Sequence, residues 1–231
     1  MKNLLLALSF GLLSAHSMAG HWLYLGDSHS YLATMAPAEN SQRLGHVLIA
    51  GLEAQGHQIS YYAACGSEPG DWVRGSSTTC GYTARVGSSF QAPRSASFPA
   101  LTSIYRPSEH AMIVINLGDN MFNWRQVGNK RVASVNTAGA TQVMNAFMRV
   151  IPNATLANCV WIGPTYHLEG STYLKPDASV DQLYAVLEAT LASKCRLIDA
   201  RPMVVPVIPN DGLHHVNADS QAWGHGILSV L

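Results

Sequence analysis

Two patterns of apolar and polar residues alternate along this chain, one typical of strands and the other of helices. Short segments rich in apolar residues, which predict strands, occupy residues 21–25, 58–64, 111–117, 155–163 and 195–199, and the run at 111–117 is the most continuous. Segments with apolar residues at helical spacing occupy residues 40–55, 133–150, 179–193 and 217–230. This alternation of strands and helices predicts an α/β fold, in which helices cover both faces of a parallel sheet.

The stretch from residue 66 to residue 107 departs from this alternation. Ser, Gly, Thr, Pro and Arg dominate it, with only scattered aromatic residues. Loops of this length in compact domains are usually functional or disordered. We therefore expect either a long loop stapled by a disulfide or a small subdomain.

The first 19 residues have the composition of an export signal. One cation, Lys2, precedes an apolar run from Leu4 to Leu13, and a small-x-small ending closes at Ala19. This pattern predicts a secretory signal peptide over residues 1–19 and a single mature domain over 20–231. The apolar run is shorter than the ~20 residues that span a bilayer. We expect a secreted or periplasmic protein with no transmembrane segment after signal removal.

Four cysteines, an even number, are expected to pair in an oxidising compartment. Three connectivities are possible. We favour Cys65 with Cys80, which staples the Gly- and Ser-rich stretch, and Cys159 with Cys195, which joins two segments that lead into strands. Neither pair has the C-x-x-C spacing of a redox or zinc site, so a structural role is expected.

The charge balance narrows the range of partners. Cationic and anionic residues number 14 each, and charged residues make up 12% of the chain. No basic face for nucleic acid or anionic lipid is therefore expected. The predicted partner is a small or neutral substrate, and the protein is expected to be a monomer.

Glycine and polar residues follow each predicted strand at its carboxyl end. In open parallel sheets, ligands bind just outside these ends, so the strand tips should converge on one crevice. The tips are Gly26-Asp27-Ser28, Cys65-Gly66, Gly118-Asp119-Asn120, Gly163-Pro164-Thr165 and Asp199.

A base for a serine nucleophile lies near the end of the chain. Ser28 is a weak nucleophile by itself and needs an adjacent base, although a serine here can also simply cap a helix. Asp211 and His214 are three residues apart, as in one helical turn, which can bring carboxylate and imidazole together. A carboxylate that accepts the Nδ1 proton leaves Nε2 free to take the serine proton. The spacing favours His214 over its neighbour His215.

Four ordered blocks resemble the SGNH, or GDSL, hydrolase family across essentially the whole mature chain. They are GDS at 26–28, Gly66, G-x-N at 118–120 and D-x-x-H at 211–214. The resemblance implies a flavodoxin-like α/β/α sandwich whose five-stranded parallel sheet has the order 2-1-3-4-5. It also implies a serine esterase with an acyl-enzyme mechanism, in which Ser28 is the nucleophile, His214 the base and Asp211 the residue that orients the base.

The resemblance further implies an oxyanion hole, formed by the backbone N–H groups of Ser28 and Gly66 and the side-chain amide of Asn120. The chain departs from the family in two respects. The third block usually reads G-x-N-D, whereas here Met121 follows Asn120 and the acid, Asp119, precedes it. The second block also offers Gly70 as an alternative to Gly66.

The substrate is less constrained by the sequence. Candidate substrate contacts are His29, Asp119, Trp124 and Tyr166, and exposed aromatic residues at the strand tips can stack on sugar rings as well as pack in a core. A short-chain or O-acetyl ester, on a small molecule or a carbohydrate, fits an exported enzyme of this kind. No cofactor or metal is expected.

Several alternative functions remain open. The same scaffold suits an O-acyltransferase, a lipase or a thioesterase. A metal-dependent phosphoesterase using Asp27, Ser28, Asp211, His214 and His215 is disfavoured because clustered carboxylates are too few for a two-metal site. A non-catalytic polysaccharide-binding protein is disfavoured by the complete set of serine, histidine and aspartate.

Overall fold

The computed structural model describes residues 19–33, 43–166, 172–203, 214–215 and 218–231. The strands, in chain order, are β1 (His21–Gly26), β2 (Gln58–Ala64), β3 (Ser76–Thr78), β4 (Tyr82–Val86), β5 (Ser89–Gln91), β6 (Ala96–Phe98), β7 (Met112–Asn116), β8 (Asn123–Val127), β9 (Lys130–Ser134), β10 (Cys159–Ile162), β11 (Tyr173–Leu174) and β12 (Arg196–Ile198). The α-helices are α1 (Leu44–Ala54), α2 (Pro69–Arg74), α3 (Leu101–Ile104), α4 (Thr137–Arg149), α5 (Asp177–Leu191) and α6 (Ala218–Leu228). Single 3₁₀ turns cover Asp119–Met121 and Arg201–Met203.

Five consecutive strands of the main sheet are parallel and have the order β2-β1-β7-β10-β12. This is the predicted order 2-1-3-4-5. Side chains alternate between the two faces of a strand, so Leu23 and Leu25 enter one apolar core while Trp22 and Tyr24 enter the other. The predicted fold class, a sheet with helices on both faces, is confirmed.

Two pairs of long helices cover the two faces. Helices α4 and α5 pack together on one face, where Phe147 and Leu187 are fully buried. Helices α1 and α6 pack together on the other face, where Leu48 and Trp223 are fully buried. Helix α4 begins later than predicted because the side chain of Asn136 accepts the backbone N–H of Gly139 at 3.1 Å and so caps it.

The expectation of a five-stranded sheet was incomplete at one edge. Strand β4 pairs antiparallel with β2, and β5 pairs with β4, so the sheet has seven strands and is mixed. The stretch 66–107 is therefore a small substructure with short helices and strands, not a plain loop. An exposed edge strand leaves backbone groups unpaired, and this substructure pairs them for β2.

Both predicted disulfides are present, and the favoured connectivity is confirmed. Cys65 bonds Cys80 at the end of β2, and Cys159 bonds Cys195 between the starts of β10 and β12. The first bond fixes the chain immediately before Gly66. The second holds the far edge of the parallel sheet together.

A three-stranded sheet that the sequence did not predict follows the third block. Strands β8 and β9 form an antiparallel hairpin, and β11 adds to β9 in parallel. The strand predicted over 155–163 is shorter, because the Asn158 side chain accepts the backbone N–H of Thr155 at 2.7 Å and holds a turn there.

Some sequence predictions fall on residues outside the described ranges. These are the predicted signal peptide up to residue 18, residues 40–42 of the first predicted helix, and Asp211. Among the described residues, the structure contains no helix with the length and apolar character needed to cross a membrane.

Candidate active site

A tight turn after β1 presents the predicted nucleophile. The backbone N–H groups of Ser30 and Tyr31 both donate to the carbonyl of Asp27, at 3.1 and 3.0 Å. A Cβ added at Gly26 would lie 2.3 Å from the Cβ of Ser30, so only glycine allows the chain to turn back this closely. Ser28, at the tip of the turn, is partly exposed.

The predicted base lies against the predicted nucleophile. Nε2 of His214 is 2.9 Å from Oγ of Ser28, although the two residues are 186 positions apart in the chain. This is a hydrogen-bond distance with the geometry that general-base activation of a serine requires. Asp211, the predicted partner of His214, is outside the described residues.

The second and third blocks contact each other. Gly66 directly follows β2 and has φ of +77°, a left-handed conformation that favours glycine. The side-chain amide of Asn120 donates to the carbonyl of Ser67 at 3.1 Å. That bond uses one of the two amide hydrogens, and it joins the loop after β2 to the turn after β7. Gly70 lies within α2, away from the end of the strand.

Beneath the nucleophile turn lies a buried group of charged side chains. Nζ of Lys175 donates to Oδ1 of Asp119 at 2.5 Å, and Oδ2 of Asp119 is 3.4 Å from Nε2 of His29. The carboxyl group of Asp27 accepts the backbone N–H of His29 at 3.0 Å, and the backbone of Asp119 also bonds it. Asp27 and Asp119 are both buried.

Burial and the neighbouring charges both shift the pKa values of these buried side chains. Burial raises the pKa of the Asp119 carboxyl, but Lys175 and His29 outweigh burial and hold that pKa below its ordinary value. Burial and then the charge of Asp119 raise the pKa of Asp27 well above its ordinary value. Burial lowers the pKa of Lys175, which Asp119 partly offsets. The Lys175–Asp119 contact is therefore an ion pair inside the protein.

Two further histidines surround His214. The ring of His29 lies 5.2 Å from that of His214 and 6.0 Å from that of His215, measured between centroids. Burial lowers the pKa of His29 well below its ordinary value, and burial lowers the pKa of His215 to about 4. Nε2 of His215 is 2.8 Å from Oγ1 of Thr165. Burial therefore favours the neutral form of both imidazoles, and both make polar contacts inside the protein, whereas His214 is partly exposed.

The four predicted substrate contacts separate into two groups. His29 and Asp119 are only 3% exposed and contact each other, which places their side chains inside the protein and argues against a direct substrate contact. Trp124 is half-buried and packs edge-on against Tyr173. The hydroxyl of Tyr166 donates to Oδ1 of Asp181 at 2.7 Å. Substrate contact by Trp124 and Tyr166 stays a prediction.

Sequence reasoning missed Lys175. The one signal that pointed to it was Asp119 itself, an acid at the end of a strand predicted to be fully buried. A buried carboxylate requires a partner, but the sequence does not show which cation comes close.

A cleft of about 240 Å³ opens beside the loops that Asn120 and Ser67 join. Glu68 and Met121, the residues that directly follow Ser67 and Asn120, both line it. Three of the remaining lining residues carry side-chain amides, namely Asn123, Asn136 and Gln142. The others, Gly139, Ala140 and Val143, lie near the start of α4. The cleft can therefore offer several hydrogen-bond donors and acceptors.

Within the described parts of the chain, no group of three or more His, Cys, Asp or Glu side chains is arranged to hold a metal ion.

The fold is that of known esterases and lipases. A carbohydrate acetylesterase family member from Sinorhizobium meliloti superposes with a TM-score of 0.55 at 15% identity, over 91% of this chain and 96% of that protein. A lipase/acylhydrolase from Enterococcus faecalis superposes with a TM-score of 0.54 at 15% identity, over 91% of this chain and 94% of that protein. The resemblance to SGNH hydrolases that the motifs indicated is confirmed at the level of the fold.

A relative is also found by sequence. Protein BcsX from Komagataeibacter xylinus is 26% identical over 218 residues, which cover 90% of this chain and 75% of BcsX. No protein-family model matches the chain.

Proposed function

We propose that this protein is a secreted serine ester hydrolase in which Ser28 is the nucleophile and His214 the general base. The observation that carries the proposal is the 2.9 Å contact between Nε2 of His214 and Oγ of Ser28. In this arrangement a partly exposed hydroxyl lies beside an imidazole, at the carboxyl end of a parallel strand. Ligands bind at this position in open α/β sheets.

The reaction begins when Oγ of Ser28 attacks the ester carbonyl carbon while Nε2 of His214 takes the hydroxyl proton. The tetrahedral intermediate carries its negative charge on the former carbonyl oxygen. The backbone N–H groups of Ser28 and Gly66 and the second amide hydrogen of Asn120 stabilise that charge. Removal of one such donor typically lowers the rate by about 10²- to 10³-fold.

The intermediate then collapses and expels the alcohol, which receives the proton from Nε2 of His214. Water attacks the resulting acyl-enzyme, and His214 takes one proton from that water. The second collapse releases the carboxylic acid and returns the proton to Ser28. Asp211 accepts the Nδ1 proton of His214 and so keeps Nε2 available.

The substrate we propose is a short-chain or O-acetyl ester, with a carbohydrate as the alcohol portion. Two observations support this class. The amide-rich cleft beside Asn120 suits a partner with many hydroxyl groups, and one of the structural neighbours is a carbohydrate acetylesterase family member. Two disulfides fit an oxidising compartment outside the cytosol.

Ester turnover by purified variants tests the proposal. Ser28→Ala and His214→Ala should each lower kcat for p-nitrophenyl acetate by at least about 10³-fold, because the covalent route needs both the nucleophile and the base. Ser103→Ala and His225→Ala are matched controls at exposed positions and should keep wild-type activity. Turnover by Ser28→Ala close to that of the wild type would exclude the proposed nucleophile.

The same purified enzyme can be used to test which ester it prefers and whether water or a glycan accepts the acyl group. The rate of acetate release from O-acetylated glycans should exceed the rate of p-nitrophenol release from p-nitrophenyl esters with longer acyl chains. If the acyl group instead appears on an added acceptor glycan while free acetate is low, the enzyme is an O-acyltransferase. A preference for long acyl chains or for thioesters would favour a lipase or a thioesterase.

A further inference from the structure

One tight turn carries both Asp119, the acid of the ion pair with Lys175, and the proposed oxyanion donor Asn120. Asp119 and Asn120 are consecutive residues of the single 3₁₀ turn Asp119–Met121. Their side chains run in different directions. That of Asp119 enters the protein and meets Lys175, whereas that of Asn120 reaches the carbonyl of Ser67 at 3.1 Å.

Two separate segments contact Asp119. Its carboxylate contacts Lys175, which precedes α5, and His29, which lies in the nucleophile turn. Its backbone bonds the carboxyl group of Asp27, also in the nucleophile turn. The nucleophile turn, the Asn120 turn and the chain before α5 are therefore linked through one residue.

The surroundings leave the turn little room to rotate. A Cβ added at Gly118 would lie 2.9 Å from Cδ of Pro164, so the turn packs directly against the segment after β10. Asp119 is 3% exposed and the Lys175 side chain is fully buried. If Asp119 keeps its inward position, Asn120 must keep its outward position, because a 3₁₀ turn separates consecutive side chains by about 120°.

Charge compensation explains why Asp119 keeps that position. A buried carboxylate without a partner is strongly unfavourable, and removal of one member of a buried pair is costly because the other charge stays behind. Without Lys175, Asp119 is expected to move toward solvent or take up a proton. Movement of Asp119 would carry the Asn120 amide with it, and protonation of Asp119 would remove the charged contact that fixes the turn.

We propose that Lys175 is a positioning residue of the reaction, which acts through Asp119 to hold the amide of Asn120 at the oxyanion. The inference rests on the proposed ester hydrolysis. This role also explains why an acid directly before Asn120 is useful in this chain, because the buried side chain of Asp119 fixes the turn through Lys175.

A double-mutant cycle between Lys175→Met and Asn120→Ala tests this role with p-nitrophenyl acetate. In the wild-type background Lys175→Met should lower kcat by about 10- to 10²-fold and leave KM within about twofold, since an oxyanion donor acts in the transition state. In the Asn120→Ala background the same change should lower kcat by less than about threefold, because the donor is already absent.

Two outcomes would overturn the proposal. One is an equal loss of kcat in both backgrounds, which would mean that Lys175 acts independently of Asn120. The other is a Lys175→Met enzyme with wild-type kcat. Arg85→Met is the matched control, since it breaks a surface ion pair with Glu53 on another part of the molecule and should leave kcat unchanged.

A second variant covers the case in which Lys175→Met does not fold. The double change Asp119→Leu with Lys175→Met replaces the buried ion pair by apolar side chains of similar volume, which is often nearly neutral for stability. It should fold, show a reduced kcat, and again add little to Asn120→Ala. If it folds with a wild-type kcat, the ion pair does not position the donor.

The outcomes also separate this inference from the proposed function. If the wild type and Ser28→Ala show the same absence of turnover, the ester hydrolase assignment fails. If the wild type is active and Ser28→Ala is not, but the cycle is additive, only the role of Lys175 fails.

Discussion

Mild acid should destabilise this protein through His215. The imidazole is 2% exposed, and its Nε2 is 2.8 Å from Oγ1 of Thr165. Burial is the largest cause that lowers its pKa to about 4; Lys175 and His214 lower it further, and Asp119 opposes them. The folded protein therefore keeps this ring neutral at a pH where the unfolded chain already protonates it.

The sign and size of the effect follow from that difference. Below the ordinary pKa of 6.5 the unfolded state binds more protons than the folded state, so a fall in pH favours unfolding. The loss begins near pH 6.5 and levels off near pH 4. The difference between 6.5 and about 4 corresponds to about 3 kcal/mol in the free energy of unfolding, at about 1.4 kcal/mol per pH unit.

Urea unfolding of the wild type and of His215→Gln, at about pH 7 and about pH 4.5, measures this contribution. Glutamine does not titrate, and its amide can still bond Thr165. The wild type should lose about 2 to 3 kcal/mol more than the variant between these two pH values. His29 and Asp27 titrate in both proteins, so their contributions largely cancel. Equal losses in wild type and variant would refute the reasoning.

Two further predictions concern the loops around the candidate site. The double change Cys65→Ser with Cys80→Ser opens a link between residues 15 positions apart and should lower the free energy of unfolding by about 3 kcal/mol; an unchanged urea midpoint would contradict this. Gln142→Ala should raise KM for an O-acetylated glycan several-fold without changing KM for p-nitrophenyl acetate, because Gln142 lines the amide-rich cleft and only the glycan carries hydroxyl groups to bind there. A rise in KM for both substrates would place Gln142 at the acyl group instead.

The pattern of apolar residues predicted the strands that are buried inside the protein. The run AMIVINL at 111–117 is apolar on both sides and became β7, with Ile113 and Val114 on opposite faces of the sheet. The order of the five parallel strands was implied by the resemblance to the SGNH hydrolases and is confirmed. The proximity of Ser28 to His214 followed too, because the carboxyl ends of parallel strands share one edge of a sheet.

The stretch 66–107 could not be predicted in the same way. Its strands are three to five residues long and carry Ser, Thr and Arg, so neither period nor composition marks them. They form because the backbone of β2 offers an edge to pair with. The hairpin β8–β9, with its largely polar strands, is a similar case.

The sequence by itself predicted the parallel sheet, favoured the cysteine pairing that the structure contains, and singled out Ser28 and His214 as the residues to test as nucleophile and base. Each of these depends on a pattern within a segment or on where strands end. Only the tertiary structure decided that Lys175 meets Asp119, 56 positions earlier, at 2.5 Å inside the protein. A lysine is ordinarily a surface residue, and its burial becomes favourable only when the fold brings a carboxylate to it.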